Sequence, residues 1–129
     1  MTAPIVFISH FRFRAGMFEA YARLQQDVLQ HLRAEKPRTL AFVAYADESR
    51  SRLTIVHLFA DAAAMDAHFE GADERSRAAY EFLVPDGWEV YGAPSRAAAA
   101  TLQDAASSSG VRLTVEPAYV DGFLRLATA

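Results

Sequence analysis

The 129-residue sequence contains no cysteine. That absence excludes disulfides, thiolate metal sites, iron–sulfur clusters and cysteine nucleophiles, and it fits a reducing compartment. Asparagine is also absent, and tryptophan occurs once, as Trp88. No uninterrupted run of about 18 apolar residues occurs, so nothing reads as a membrane-spanning helix. The segment from Met1 to Ser9 has no basic region ahead of an apolar stretch of signal length, and the expected location is the cytoplasm. Excess positive charge is missing as well: the formal net charge is −3, which leaves no electrostatic footprint for nucleic acid. There is no glycine-rich phosphate loop, no HExxH pair and no Ser-His-Asp order, and the six glycines stand apart at expected turns or caps.

What is present is clear hydrophobic patterning over a length suited to one domain. Ile5 to Phe13 (IVFISHFRF) is β-branched and aromatic with apolar residues on both alternating faces, the mark of a strand covered on two sides. Met17, Tyr21, Leu24, Val28 and Leu32 then recur at helical spacing, and Pro37 ends that helix. Thr39 to Ala46 and Arg52 to Phe59 read as strands joined by a polar turn, Asp47 to Ser51. Asp61 is a helix cap, with Met65, His68 and Phe69 on the following helix; a second helical stretch is expected from Asp73 to Leu83. Val84-Pro85-Asp86-Gly87 has turn chemistry, and Trp88 to Gly92 reads as a short last strand.

Strand, helix, hairpin, helix, strand is the ferredoxin-like βαββαβ order, an α+β fold with a four-stranded antiparallel sheet and both helices on one face. Two helices leave the other sheet face bare and apolar, and a homodimer through that face is expected. Residues 1–94 form this unit. Residues 95–129 are expected to extend the same domain by a Ser95-capped helix and a strand from Val111 to Val115, with Phe123, Leu124 and Leu126 partly buried and a strand-like stretch from Ala118 to Leu126.

The run HLFADAAAMDAHFEG (His57 to Gly71), followed by EFLVPDGWEVYG, resembles the dimeric α/β-barrel proteins of the antibiotic-biosynthesis-monooxygenase type, over about Pro4 to Pro94. The resemblance implies a dimeric α/β barrel, a small aromatic ligand, and activities ranging from cofactor-independent oxygenation of phenols and quinols to haem degradation. Only His68 matches the family's helical histidine pattern. The haem-degrading branch uses Asn, Trp and His; this chain has no Asn, and Trp88 lies in a strand, which argues against haem.

A cofactor-free oxygenation needs a base to remove a phenolic or quinol proton, so that an electron-rich anion can pass an electron to O₂, and a dry aromatic pocket. Histidine suits that role near neutral pH. His68, expected half-exposed on its helix with little packing to lose, is the candidate base. His10 and His57 are candidate ligand contacts on neighbouring strands; with Ile5 opposite Phe59 they sit three positions apart, too far for a shared metal. His31 is expected at the surface. Phe69, Phe82, Trp88, Tyr45 and Tyr91 are candidate pocket walls. Asp73, Glu74, Arg75 and Arg77 read as ordinary solvated helix surface. No metal or cofactor is expected. The competing readings are a non-catalytic binding or accessory protein of the same fold, and a non-oxidative cyclase or isomerase in which one histidine shuttles a proton.

Overall fold

Burial alternates along the first strand, β1 (Ile5–Phe13): Ile5, Phe7, Ser9 and Phe11 are buried, while Val6, Ile8 and His10 between them are half-covered. The period of two puts the first set on one sheet face and the second on the other. The computed structural model describes residues 3–125 of the chain. After β1 come α1 (Phe18–Glu35), β2 (Thr39–Ala46), β3 (Arg52–Phe59), α2 (Ala62–Phe69), α3 (Ala72–Ala79), β4 (Leu83–Tyr91), α4 (Arg96–Ser109) and β5 (Leu113–Glu116).

The strands form one sheet in the order β2-β3-β1-β4-β5, with β1 at its centre. β1 pairs antiparallel with β3, Ile5 opposite Phe59, and with β4 on its other side. α2 begins where the Asp61 carboxylate accepts from the Ala64 N–H at 2.8 Å, and α4 where Ser95 Oγ accepts from the Ala98 N–H at 3.1 Å. Gly110, left-handed at φ 66°, closes α4. Ala64, Met65, Ala98, Leu102 and Ala106 of α2 and α4 pack on Ile5, Phe7, Phe59 and Val90; Tyr21 of α1 packs on Phe11, Leu53, Ile55 and Leu83. The helices therefore share one sheet face. The opposite face carries Val6, Ile8, Val56, Leu58 and the exposed Val43 uncovered.

The α+β, ferredoxin-like expectation holds, the C-terminal helix and added strand included, with three corrections. The added strand, β5, joins the sheet edge parallel to β4, which requires a crossover, and α4 supplies it. The sheet of the single chain is open, so no barrel is closed within it.

The second correction concerns Val84-Pro85-Asp86-Gly87, which is not a turn but part of β4. The register steps from Phe11↔Pro85 to His10↔Gly87, so Asp86 is the extra residue of a β-bulge. A bulge tolerates a proline without an N–H and a glycine at φ 130°, the same residues that favour turns. Taking Leu83 into the strand also ends the preceding helix at Ala79, short of the expected Leu83.

Last, the stretch after Glu116 forms no strand within the described residues. Phe123 is 77% exposed and Leu124 46%, because this part of the chain finds no apolar surface to pack on. Leu126 lies outside the described residues.

Candidate functional site

Between the helices and the covered sheet face lies a cavity of about 500 Å³. Phe7, Ser9 and Phe11 of β1 form its floor, and among these three only Ser9 is small, leaving room above the middle of the strand. Leu24, Gln25, Val28 and Leu32 of α1 form one wall, and Trp88 and Leu102 contribute from β4 and α4.

His57 and His68 meet at one end of it. The period of two turns His57 of β3 to the covered face opposite Phe7, and the α2 residue above it is His68. Their ring centroids are 5.1 Å apart and nearly perpendicular, with Phe7, Phe42 and Phe59 against the pair. His57 Nδ1 lies 3.0 Å from the Phe7 carbonyl oxygen, which can only accept. The proton of the neutral ring is therefore on Nδ1 and its lone pair on Nε2. His68 Nδ1 lies 2.7 Å from Thr39 Oγ1, a hydroxyl that can act either way.

Both imidazoles are held neutral. Burial lowers His57 to about 4, against a partly compensating bond that its ring N–H donates to the Phe7 carbonyl and with help from the Arg75 charge. Burial lowers His68 to about 3, followed by His57, Arg75 and Lys36. His68 is 5% exposed, not the half-exposed helix residue expected from the sequence; the short α2 lies directly on the sheet and leaves its inward face no solvent.

The structure brings four of the sequence-derived candidates together at the cavity: His57, His68, Phe69 and Trp88. Phe82 packs beside Phe11, Tyr21 and Leu83 without lining the cavity. His10, Tyr45 and Tyr91 are on the opposite, open sheet face, as the pairings His10↔Thr54, Tyr45↔Thr54 and Val6↔Tyr91 require. There His10 Nε2 pairs with Glu89, Tyr91 donates to the same carboxylate, and Thr54 Oγ1 lies 3.3 Å from His10 Nδ1. These three bonds cross β3, β1 and β4. His31 is at the surface as expected.

Several cavity residues are not foreseen from the sequence, Gln25 and Arg75 among them. Gln25 stands on the apolar stripe of α1, four residues after Tyr21, whose hydroxyl donates to Gln25 Oε1 at 2.7 Å. That bond points the amide nitrogen the other way, and Nε2 is buried without a partner. A buried unmet donor costs about 1–3 kcal/mol. The polar residue breaking the α1 stripe was the available signal. Arg75, taken from the sequence as solvated surface, is half-buried on the cavity wall. Nothing in a charge run distinguishes one inward-turning arginine.

No protein-family model matches the sequence, and no curated protein is similar to it at a significant level. Solved structures do match. MupZ from Pseudomonas fluorescens superposes with a TM-score of 0.71 at 14% identity, over 97% of this chain and 91% of its own. SnoaB, a cofactor-independent oxygenase from Streptomyces nogalater, gives 0.59 at 11% identity over 73% and 96%. A Chloroflexus aurantiacus protein provisionally named an antibiotic biosynthesis monooxygenase gives 0.55 at 13% over 68% and 90%. The chain has the fold of the antibiotic-biosynthesis-monooxygenase-like proteins, and its match with MupZ takes in the C-terminal helix and fifth strand.

Proposed function

We propose that the cavity binds a phenol- or quinol-like aromatic molecule and that the chain oxygenates it without a cofactor. The observation that carries this reading is the pair of buried neutral imidazoles at the end of an aromatic-lined cavity. A volume near 500 Å³ is the size of a drug-like ring system. The fold it shares with SnoaB supports the reaction class.

In the proposed reaction His68 or His57 accepts a proton from the bound substrate, the anion gives one electron to O₂, and the resulting radical and superoxide combine at carbon. The hydroperoxide then loses water. One oxygen atom stays as a carbonyl and the other leaves as water with two substrate hydrogens. Proton transfer is the demanding step. Moving a phenolic proton, with a pKa near 10, to an imidazole near 3 or 4 is uphill by about 8–10 kcal/mol. A phenolate about 4 Å from the imidazolium it creates recovers about 4 kcal/mol at an effective dielectric constant of 20. The base thus works only with substrate in place, and further positive charge is called for.

With anthrone as substrate, oxygen-electrode traces are expected to show uptake above the protein-free rate, one O₂ consumed per anthraquinone formed. No uptake across a panel of anthrones and hydroquinones would sink the oxygenase. A second reading rests on the pairing itself: when Thr39 donates to His68 Nδ1, His68 Nε2 is a donor beside the acceptor Nε2 of His57, a set suited to a cyclase or isomerase. Conversion that persists under argon would select it.

The uncovered sheet face supports a homodimer, since Val6, Ile8, Val43, Val56 and Leu58 form an apolar surface there. Sedimentation at micromolar concentration is expected to give the dimer mass; monomer alone would overturn this part.

A further inference from the structure

Arg75 projects from α3 to the cavity wall that also holds His57 and His68. Its Nη2 donates to the His68 carbonyl at 2.6 Å and its Nη1 to the Glu70 carbonyl at 3.1 Å. Lys36 Nζ donates to the Ala67 carbonyl at 2.7 Å, so two cations close the C-terminal end of α2. Capping accounts for part of what Arg75 does, but not all of it. A guanidinium has five N–H donors, and two are used here, which leaves three.

The guanidinium also has no carboxylate in direct contact. The ion pairs among the described residues are His10–Glu89, Arg12–Asp86, Arg38–Asp61 and Arg50–Glu19, and Arg75 is in none of them. On its own helix Asp73, Glu74 and Arg77 flank it; α2 and its end present His68 and Glu70; the α1 side presents His31, Glu35 and Lys36; β3 presents His57. Of these, Asp73 lines the cavity, where Arg77 also stands, while Glu35, Glu70 and Glu74 line an outer groove that Arg75 and Lys36 border as well. A half-buried cation with spare donors and no carboxylate partner suits an anion brought by a ligand. Its charge already acts on both imidazoles, disfavouring their protonation. The same field favours a negative oxygen placed between them.

We propose that Arg75 is the anion-stabilising residue of the cavity and that the ligand is an ionisable phenol or enol held there as its oxyanion. This rests on the reading of the cavity as an aromatic-ligand site, but not on oxygenation. The test therefore follows ionisation rather than turnover. 2-Hydroxyanthraquinone has one ionisable hydroxyl and changes colour when it loses the proton, so its bound pKa can be read by absorbance titration of the full chain above pH 6.

Binding to the wild type is expected to raise the probe's ionisation constant at least tenfold over the free value. Arg75→Lys, which keeps the charge, should retain most of that shift. Arg75→Gln, which keeps a donor for the α2 carbonyls but not the charge, should lose it. If the glutamine variant binds the probe and ionises it as the wild type does, the proposal is wrong. Should that variant fail to fold, a folded Arg75→Lys protein with no shift overturns it as well. Binding by the wild type with an unshifted or raised pKa would overturn this proposal alone; no binding at all would remove the aromatic-ligand reading with it.

Discussion

His68→Gln is expected to lower the oxygenation rate of a bound anthrone by at least 100-fold, the usual contribution of a positioned general base. Glutamine is the informative replacement because the site is packed. His68 lies against His57, Phe42, Phe59 and Phe69 and bonds to Thr39, so alanine would leave a void and cost about 2–3 kcal/mol of stability as well as the base. An amide fills much of the same space and can still meet Thr39, but it cannot accept a proton. Stopped-flow absorbance at saturating anthrone separates the two roles: a lower kcat at similar KM fits a base. Unchanged kcat would transfer the role to His57 or remove proton abstraction from the mechanism.

The folded protein is expected to lose roughly 4 kcal/mol of stability between pH 7.5 and pH 5. His57 and His68 titrate at about 4 and 3 in the fold and near 6.5 in the unfolded chain, so below pH 6.5 the unfolded state binds more protons. Stability is then full above 6.5 and falls as the pH drops toward the folded values. At pH 5 each histidine withdraws about 2 kcal/mol from the native state, and two together approach the whole stability of many domains. Urea melts at the two pH values measure this directly. His57→Phe should remove about half of the difference, and a melt that is flat from 7.5 to 5 would mean that the imidazoles are not buried and neutral.

Much of this architecture was legible because the signals were local. The limits of β1, β2 and β3 follow from β-branched and aromatic runs closed by polar turns, and pairing Ile5 with Phe59 placed His10 and His57 three positions apart. Helix caps at Asp61 and Ser95 were equally plain. What stayed hidden depends on tertiary context. Pro85-Asp86-Gly87 suits a turn or a bulge equally, and only the pairing of β4 with β1 decides. Phe123 and Leu124 are apolar enough to be buried, yet burial needs a surface that the single chain does not provide. The candidate site was half legible. Strand parity puts His57 and His10 on opposite faces, yet both count as ligand contacts in the sequence, as do Tyr45 and Tyr91, because residue type carries no information about which face is covered. Arg75 is invisible for the converse reason, since a polar side chain turned inward looks like any other in a charge run, and Gln25 shows only as a polar break in the α1 stripe.

The place of β1 at the middle of the sheet has a consequence for how the chain is made. β1 is synthesised well before either neighbour: its β3 partner starts at Arg52, and its β4 partner at Leu83. At about 5–20 residues per second the segment IVFISHFRF waits several seconds with its backbone unpaired and both faces apolar. Such a segment is a template for intermolecular strand pairing, and α1 and the β2–β3 hairpin are the first of its packing partners to follow it in the chain.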